Sequence, residues 1–475
     1  MKRTFGALAA MGGGGLLGQL GAASAQASVT TDYQALVCIF LYGGNDCHAT
    51  LVPNSVAATN PTKGVAFDQY FAARGGSHVF YDRDSLDKAK TLISSGSDSF
   101  YLHPELSGIA KLYSSKRAAI LANVGCLRKP TTKAEFAKQD PTVLPEALFS
   151  HSDQTSEWQA AIQDSTKASS GWGGRVIDQF NTRYKMPNVN AFNAGSNGLF
   201  TVGKTARPLV AAATGDVNRA VRPLVVRTDE RYRPVLETFN QFMSFDNGVQ
   251  LVSAANELLD KGAKDARLLS GSLGTAAKFT NFDLSNALAR QLQLVAQVIS
   301  VSSQLAFGKQ IFFVSLGGFD THGSQGGQAT GASSPGTHPH LMKQLNDAVV
   351  SFDDALASLS KPAPNVTTFT CSEFGRALQP SGTGTGTGTD HGWGGHQFII
   401  GNAVKGGKVY GTYPDLTLGK SPDFATERGT LIPTTSVLQY GATLAKWLGV
   451  AKEDLVSVMG PDLENFSGNP VLEFL

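Results

Sequence analysis

The sequence lacks motifs that mark several common classes of hydrolase. It contains no Gly-x-Ser-x-Gly segment, so the serine nucleophile of an α/β-hydrolase is not expected. No cysteine begins a Cys-x-Pro-x-Arg segment, since Cys126 is followed by Leu127 and Arg128. The modified cysteine nucleophile of many sulfatases is therefore not expected. The alternation of glycine and threonine over residues 382–389 does not have the Gly-x-Gly-x-x-Gly spacing of a dinucleotide site.

Charge and cysteine are also scarce. Charged residues make up 16% of the chain, and 40 basic residues nearly balance 38 acidic ones. Such a protein offers no electrostatic basis for binding nucleic acid or an acidic membrane surface. The four cysteines show no Cys-x-x-Cys spacing, which argues against a zinc finger. Cys38 and Cys371 fall in or beside predicted strands, where free cysteine packs as a small apolar side chain. An oxidising compartment would also allow a disulfide, whose pairing the sequence does not assign.

No stretch beyond the N-terminus is long and apolar enough to span a membrane. At the N-terminus, Lys2-Arg3 precedes a mildly apolar, glycine-rich run, and Ala25-Gln26-Ala27 fits a signal-peptidase site. We therefore predict an export signal over residues 1–27 and a periplasmic or secreted mature protein. Lys2-Arg3-Thr4-Phe5 resembles a twin-arginine signal with lysine in the first position, which leaves the export route open.

Three apolar runs have the pattern of buried strands, and each is followed by an acidic residue. The runs are Ala35–Tyr42, Ile311–Leu316 and Val366–Thr370. Because open α/β sheets bind ligands at the carboxyl ends of their strands, we predict that the acids and one histidine beyond these runs are metal ligands. These residues are Asp46, Asp320, His322 and Glu373. A turn or cap role is the alternative for Asp46.

The glycine-threonine tract leads directly to another acid and imidazole, Asp390 and His391, with His396 five residues further on. A tract without packing side chains favours flexibility. We predict a mobile arm that carries Asp390 and His391 to a ligand, with His396 as a further metal ligand. For Asp390 and His391, the alternative is an ordinary loop residue in water.

Apolar strands alternate with helical patterns along the chain, which favours a mostly parallel sheet with helices on both faces. No shift in composition marks a second domain. We predict one α/β domain over residues 28–475, with a helical insertion around residues 204–307.

Five motifs together resemble the bacterial family known as domain of unknown function 1501, over about residues 35–466. The motifs are FLYGGND, GGFDTHG, SEFGR, DHGWGGH and GGKVYG. That family is grouped with the alkaline phosphatase-like superfamily, which includes phosphatases, phosphodiesterases and sulfatases. The resemblance implies a three-layer α/β/α sandwich, two divalent metals at the strand ends and an exported protein.

The resemblance also implies roles for individual residues. Superfamily enzymes use an acid, a serine or threonine nucleophile and further acid-histidine pairs in a fixed chain order. Asp46 matches the first acid, and Ser150 is the best positional match for the nucleophile. Glu373 stands where an Asp-His pair is usual, so it is either a ligand or a sign of altered chemistry. The remaining matches are Asp320 with His322, Asp390 with His391, and His396.

The predicted function is hydrolysis of a small anionic ester, a phosphate or sulfate, with zinc, manganese or calcium. Ser150 precedes a predicted helix, whose N-terminal amides favour anions, and His151 beside it would be a base, metal ligand or anion contact. Ser150 as a helix cap, with water as the nucleophile, is the alternative. Arg376 is predicted to clamp the anion, unless it is exposed or pairs with Glu373. A non-catalytic exported binding or assembly protein that keeps the fold is the other candidate class.

Overall fold

The computed structural model describes residues 33–56, 65–185, 189–195, 197–213, 230–243, 269–305, 308–326, 337–360 and 363–475, with isolated positions between 252 and 260. The predicted export signal and much of the predicted helical insertion lie outside these residues. Within them, no helix combines the length and apolar character needed to cross a membrane.

A large mixed sheet lies at the centre of the described residues. The strands, numbered along the chain, are β1 (Gln34–Tyr42), β2 (Leu51–Ser55), β3 (Leu92–Ser95), β4 (Asp98–Leu102), β5 (Ala118–Gly125), β6 (Val189–Ala194), β7 (Leu209–Ala211), β8 (Lys309–Gly317), β9 (Asn365–Cys371), β10 (Gly395–Gly401), β11 (Val409–Tyr410) and β12 (Thr435–Ser436). The main sheet has the order β11-β5-β10-β9-β1-β8-β6-β7, with β12 beside β5. Its pairings are parallel except those of β10 with β5 and β9, so the predicted mostly parallel sheet is confirmed. Strands β2, β4 and β3 form a small antiparallel sheet.

Helices alternate with these strands along the chain. In the described residues they are α1 (Cys47–Thr50), α2 (Val65–Arg74), α3 (Arg83–Ala89), α4 (Ser107–Ser114), α5 (Lys133–Ala137), α6 (His151–Ala160), α7 (Trp172–Thr182), α8 (Arg233–Met243), α9 (Ala287–Ser300), α10 (His338–Leu359), α11 (Val437–Leu448) and α12 (Leu455–Met459). Helices α8 and α9 fall within the range of the predicted insertion, and α9 packs against both α10 and β8.

Strand β1 shows why the sheet is stable. Its side chains alternate between two apolar cores: Val37 and Ile39 belong to one, and Leu36 and Phe40 to the other. Helices α9 and α10 contribute to the first core, and α7 and α11 to the second. Because each fully buried aliphatic or aromatic side chain contributes about 1.5–3 kcal/mol, a strand buried on both faces must be apolar at nearly every position.

The carboxyl ends of β1, β8 and β9 lie at the same edge of the sheet. The strands are parallel neighbours, with Tyr42 opposite Gly317 and Phe40 opposite Cys371. The chain leaves β1 through Gly43, which has a φ of +116°, and a Cβ there would lie 2.2 Å from the backbone nitrogen of Asp320. The loops after these strands are thus packed against one another, as the strand-end pattern predicts.

The three predicted strands are present with boundaries close to the expected ones. The run predicted to begin at Ala35 is β1, and the runs beginning at Ile311 and Val366 are β8 and β9.

All four cysteines are buried and free. Cys38 and Cys371 therefore pack as small apolar side chains.

Helix α6 carries a buried carboxyl group that opposes folding at neutral pH. Glu157 is fully buried, and neither carboxyl oxygen has a hydrogen-bond partner among the described residues. Burial raises the pKa of Glu157 from its ordinary value of 4.5 to about 9, against the weaker opposing influence of Cys126 and Arg128. The folded protein therefore keeps a proton that the unfolded chain releases above pH 4.5, and the free energy of unfolding falls as pH rises toward 9.

Replacing Glu157 with glutamine should stabilise the protein at pH 7.5 by about 2–3 kcal/mol. Each pH unit between the two pKa values is worth about 1.4 kcal/mol, and the buried amide retains part of the desolvation cost. Urea unfolding of the wild type and Glu157→Gln at pH 4 and pH 7.5 measures the effect. Equal stability of the two proteins at pH 7.5 would contradict the buried neutral carboxyl.

Candidate metal centre

Three side chains from separate parts of the chain converge at the carboxyl edge of the sheet. His151 is the first residue of α6, Asp320 lies in the loop after β8, and His391 lies between β9 and β10. One ligand atom from each lies within 4.8 Å of the other two. Asp320 Oδ1 is 3.5 Å from His151 Nε2 and 3.6 Å from His391 Nε2. We call this set the His-Asp-His cluster.

The ring of His151 is oriented by Glu373. His151 Nδ1 lies 2.8 Å from Glu373 Oε1, and the same oxygen accepts a hydrogen bond of 2.7 Å from Gly43 N. Because this oxygen is an acceptor, the neutral imidazole carries its proton on Nδ1 and has a lone pair on Nε2. The hydrogen bond to Glu373 also raises the pKa of His151, so a cation at Nε2 would compete with a proton there. Within the described residues, His151 Nε2 is buried and has no hydrogen-bond partner.

The ring of His391 is oriented in the same way by a backbone carbonyl. His391 Nδ1 donates to Phe149 O over 2.7 Å, so its Nε2 also presents a lone pair. Burial lowers the pKa of His391 and so favours the neutral imidazole that a metal requires. Both histidines thus use Nδ1 for a buried acceptor and turn Nε2 toward Asp320.

These donor atoms fit a divalent transition metal. Two imidazole nitrogens and one carboxylate oxygen are the ligands of zinc hydrolases of the His₂Glu type and of non-haem iron sites with open positions. Histidine that donates its other ring nitrogen to a carboxylate or carbonyl is the usual arrangement around such metals. The buried, unpartnered Nε2 of His151 is the observation that a bound cation would explain. Imidazole favours zinc or manganese over calcium, which takes oxygen ligands.

Arg376 holds the loops around Asp320 and is fully buried. Its guanidinium donates to Asp320 Oδ1 over 2.6 Å and to the carbonyl oxygens of Gly44, Thr389 and Phe319. Burial alone would raise the pKa of Asp320, but the hydrogen bond and charge of Arg376 outweigh it and lower that pKa. Arg376 therefore keeps Asp320 ionised, and its donors are occupied by the protein.

His322 and Asp390 lie at the exposed rim of the cluster. His322 Nε2 is 2.8 Å from His391 Nε2 and 3.3 Å from Asp320 Oδ1, and its side chain is 48% exposed. Since His391 Nε2 has no proton, His322 Nε2 must donate in this contact. On the other side, His322 Nδ1 is 3.4 Å from Asp390 Oδ1, and Asp390 forms an ion pair with Arg428.

The structure therefore brings together seven of the ten residues predicted for the site. They are His151, Asp320, His322, Glu373, Arg376, Asp390 and His391. Two of them make contacts other than the predicted ones. Glu373 contacts His151 instead of the position between the three donor atoms. Arg376 is surrounded by backbone carbonyls instead of facing an anion.

Asp46 lies apart from the cluster in a buried ion pair. Its carboxylate caps α1 and makes two contacts with Arg74, of 2.7 and 3.0 Å, and both side chains have no solvent exposure. It also accepts from Gln325 Nε2, whose Oε1 accepts from Thr389 Oγ1 over 2.7 Å. Asp46 thus ties the loops that carry His322 and Asp390 without reaching the cluster.

His396 and Ser150 also point elsewhere. His396 Nδ1 accepts from Asn123 N over 3.0 Å, and its buried ring stacks on Tyr413. The hydroxyl of Ser150 hydrogen-bonds to Asp153 and Ser152 within the first turn of α6. Ser150 stands at the N-cap position of α6, but its side chain makes no capping hydrogen bond, and its hydroxyl contacts Asp153 rather than Asp320.

Sequence reasoning missed several groups that support the cluster. Arg74, Gln325 and Arg428 act through contacts with residues far away in the chain, which no local pattern reveals. Phe149 contributes its carbonyl oxygen, and a backbone acceptor leaves no signal in residue identity.

One further segment has the residue spacing of a phosphate-binding loop but not its structure. Gly198, Gly203, Lys204 and Thr205 fit Gly-x₄-Gly-Lys-Thr. In such a loop, free backbone amides and a following helix receive the phosphates. Here the amides of Lys204 and Thr205 donate to the carboxylate of Asp178, and the chain continues into β7. The spacing therefore does not mark a nucleotide site.

The glycine-threonine tract is a short loop whose second half is bound to the loop after β8. Residues 382–386 are exposed, whereas Thr389 N donates to Thr321 O over 3.1 Å and Gln325 N donates to Thr387 O over 3.1 Å. A Cβ at Gly388 would lie 2.0 Å from Thr321 O, so this approach requires glycine. The part next to Asp390 is thus fixed by backbone contacts.

We expect the rate of amide hydrogen exchange to differ between the two halves of the glycine-threonine tract. Thr383 and Thr385 should exchange rapidly, because their segment is exposed, whereas the Thr389 amide should be protected to an extent closer to that of β8. Exchange measured by NMR or by mass spectrometry with residue resolution tests this. Equally fast exchange along all of residues 382–389 would favour a mobile arm instead.

The fold and the cluster together define a mixed α/β protein with a candidate metal centre at the carboxyl edge of its sheet. The family model described as Protein of unknown function (DUF1501) matches residues 33–431, and the chain belongs to that family. No curated protein matches the chain.

Proposed function

We propose that this protein is an exported, metal-dependent hydrolase of phosphate or sulfate esters with a three-layer, alkaline phosphatase-like fold. The observation that carries the proposal is the convergence of His151 Nε2, His391 Nε2 and Asp320 Oδ1, each oriented by a further buried group. The predicted signal at residues 1–27 supports a periplasmic or secreted location.

The cluster supplies the parts that such a reaction needs. A divalent cation held by these three residues contributes Lewis-acid stabilisation of the charge on a phosphoryl or sulfuryl oxygen. A cation on His391 Nε2 would displace the contact with His322 Nε2, and His322, as an imidazolium at the exposed rim, would then be placed to give a proton to a leaving alkoxide.

The experiment is metal analysis of the purified protein with a screen of aryl phosphate and aryl sulfate esters. We expect about one equivalent or more of zinc or manganese, hydrolysis of at least one ester class, loss of turnover on chelation and recovery on adding metal back. A protein that binds no divalent metal and hydrolyses no ester would refute the proposal.

Ser150→Ala tests which nucleophile operates. Because the Ser150 hydroxyl is hydrogen-bonded to Asp153 rather than to the cluster, we expect this variant to keep turnover within about tenfold and its full metal content. Loss of turnover by a factor of about 10⁴ with intact metal would instead identify Ser150 as the nucleophile.

A non-catalytic binding or assembly protein is the second candidate. Asp320 pairs with Arg376, and Asp390 pairs with Arg428. These ion pairs favour the non-catalytic candidate, because an acid that is neutralised by an arginine can stabilise the fold without binding a metal. Bound metal without turnover on any phosphate or sulfate ester would support this candidate over the hydrolase.

A further inference from the structure

Helix α6 supports both histidines of the cluster, one directly and one through a neighbouring peptide group. His151 is its first residue, and Gln154, one turn later, is fully buried. Gln154 Oε1 accepts a hydrogen bond of 2.8 Å from Phe149 N. The carbonyl of the same residue, Phe149, accepts the 2.7 Å hydrogen bond from His391 Nδ1.

The Phe149 segment has an unfavourable backbone conformation. Phe149 has a φ of +71°, and Ala147, two residues earlier, has a φ of +49°. This left-handed region is rare for residues other than glycine, and such residues keep it only where neighbouring contacts impose it. Gln154 fixes the amide of Phe149, and the Ser150 amide donates to Ala147 O over 3.1 Å. The peptide of the Phe149 carbonyl is thus held through Ser150 N by Ala147 O, and Gln154 holds the peptide before it.

The buried amide of Gln154 is only partly satisfied. Beyond an interaction with the Cys126 thiol, Gln154 Nε2 has no hydrogen-bond partner among the described residues. A methionine would remove this poorly satisfied donor but would leave Phe149 N without its acceptor. The bond to Phe149 N is thus the contribution that distinguishes Gln154 from methionine.

We propose that Gln154 is a positioning residue that fixes the tautomer and location of His391 through Phe149, so that α6 presents both imidazoles to one cation. Gln154 touches neither the cation nor a substrate. The inference rests on the metal centre of the proposed function, but not on hydrolysis.

The test compares Gln154→Met with a matched control on the same helix. Gln159 is also buried, and its Oε1 accepts from the backbone nitrogen of Phe200 over 3.0 Å. Both methionine variants keep a similar volume and lose a hydrogen bond from a backbone amide to Oε1, and Gln159→Met also loses the bond from Nε2 to the Tyr42 hydroxyl. Titration of the chelated proteins with Zn²⁺ against a competing dye measures affinity. We expect Gln154→Met to bind Zn²⁺ about 10–100-fold more weakly, with Gln159→Met unchanged.

Gln154→Glu provides a rescue, since a neutral carboxyl in this buried place still offers an acceptor oxygen to Phe149 N. We expect it to recover most of the Zn²⁺ affinity lost in Gln154→Met. Equal loss in Gln154→Met and Gln159→Met, or no loss in either, would overturn the proposal.

A spectroscopic readout in the metal-free protein separates this inference from the proposed function. The ring nitrogen signals of His391 at pH 8 should show the Nδ1-protonated tautomer in the wild type and in Gln159→Met. In Gln154→Met they should show a mixture of tautomers. An unchanged tautomer in Gln154→Met would refute the positioning role, whatever the outcome of the ester screen. The expected change with no ester hydrolysis in the wild type would uphold it while refuting the hydrolase.

Discussion

Replacing His391 with alanine should weaken the binding of Zn²⁺ or Mn²⁺ by more than the roughly 10–100-fold that loss of a supporting, non-ligand partner typically costs. His391 contributes one of the three converging donor atoms, and its loss leaves two ligands for the cation. Asp320→Ala should have an equal or larger effect, because it removes the negative charge between the two imidazoles. Metal titration of the chelated variants, checked by circular dichroism for folding, measures both.

His396→Ala is the matched control for this prediction. His396 is also a histidine beyond the end of β9 and was expected from the sequence to bind metal, but its ring is buried against Tyr413. We expect the substitution to lower stability and leave metal affinity unchanged. A loss of affinity as large as that of His391→Ala would mean that His396, and not only the His-Asp-His cluster, holds the cation.

Replacing Arg74 with methionine should lower the free energy of unfolding by about 3–5 kcal/mol, because it leaves the Asp46 carboxylate buried without its partner. Burial by itself would raise the pKa of Asp46, but Arg74 outweighs it and holds that pKa well below its usual range. In the wild type this contribution to stability is present above the ordinary pKa of 3.8 and is lost as pH falls through the lower folded value. Urea unfolding at pH 7 measures the change.

The double variant Asp46→Asn, Arg74→Met separates the charge from the packing. With the carboxylate removed, no uncompensated charge remains, and we expect a substantial part of the lost stability to return. A double variant as unstable as the sum of the two single variants would show that the residues act independently rather than as an ion pair.

The sequence predicted the sheet edge better than it predicted which side chains face the cluster. Apolar runs followed by acids in or near glycine-containing turns located the loops after β1, β8 and β9 correctly. The same pattern precedes Asp46 and Asp320, yet only Asp320 belongs to the cluster. The difference lies in Arg74, which comes from α2 and pairs with Asp46. A long-range ion pair of this kind has no local signature.

Two further positions show the limit of residue identity. Ser150 and His151 are adjacent, and the start of α6 directs the imidazole to Asp320 and the hydroxyl to Asp153. A shift of one residue at the helix start would rotate both side chains by about 100° about the helix axis, and helix boundaries are the least certain part of any sequence prediction. Arg376 has the chemistry of an anion clamp, but backbone carbonyls that surround it occupy its donors.

The central claim is that His151, Asp320 and His391 hold one divalent cation. It is tested most directly by diffraction from crystals of the protein grown with Zn²⁺, using data collected on both sides of the zinc absorption edge. We expect an anomalous peak about 2.0–2.2 Å from His151 Nε2, His391 Nε2 and Asp320 Oδ1. A fully occupied peak beside Asp46 or His396 instead, or no peak between the three donor atoms at saturating Zn²⁺, would contradict it.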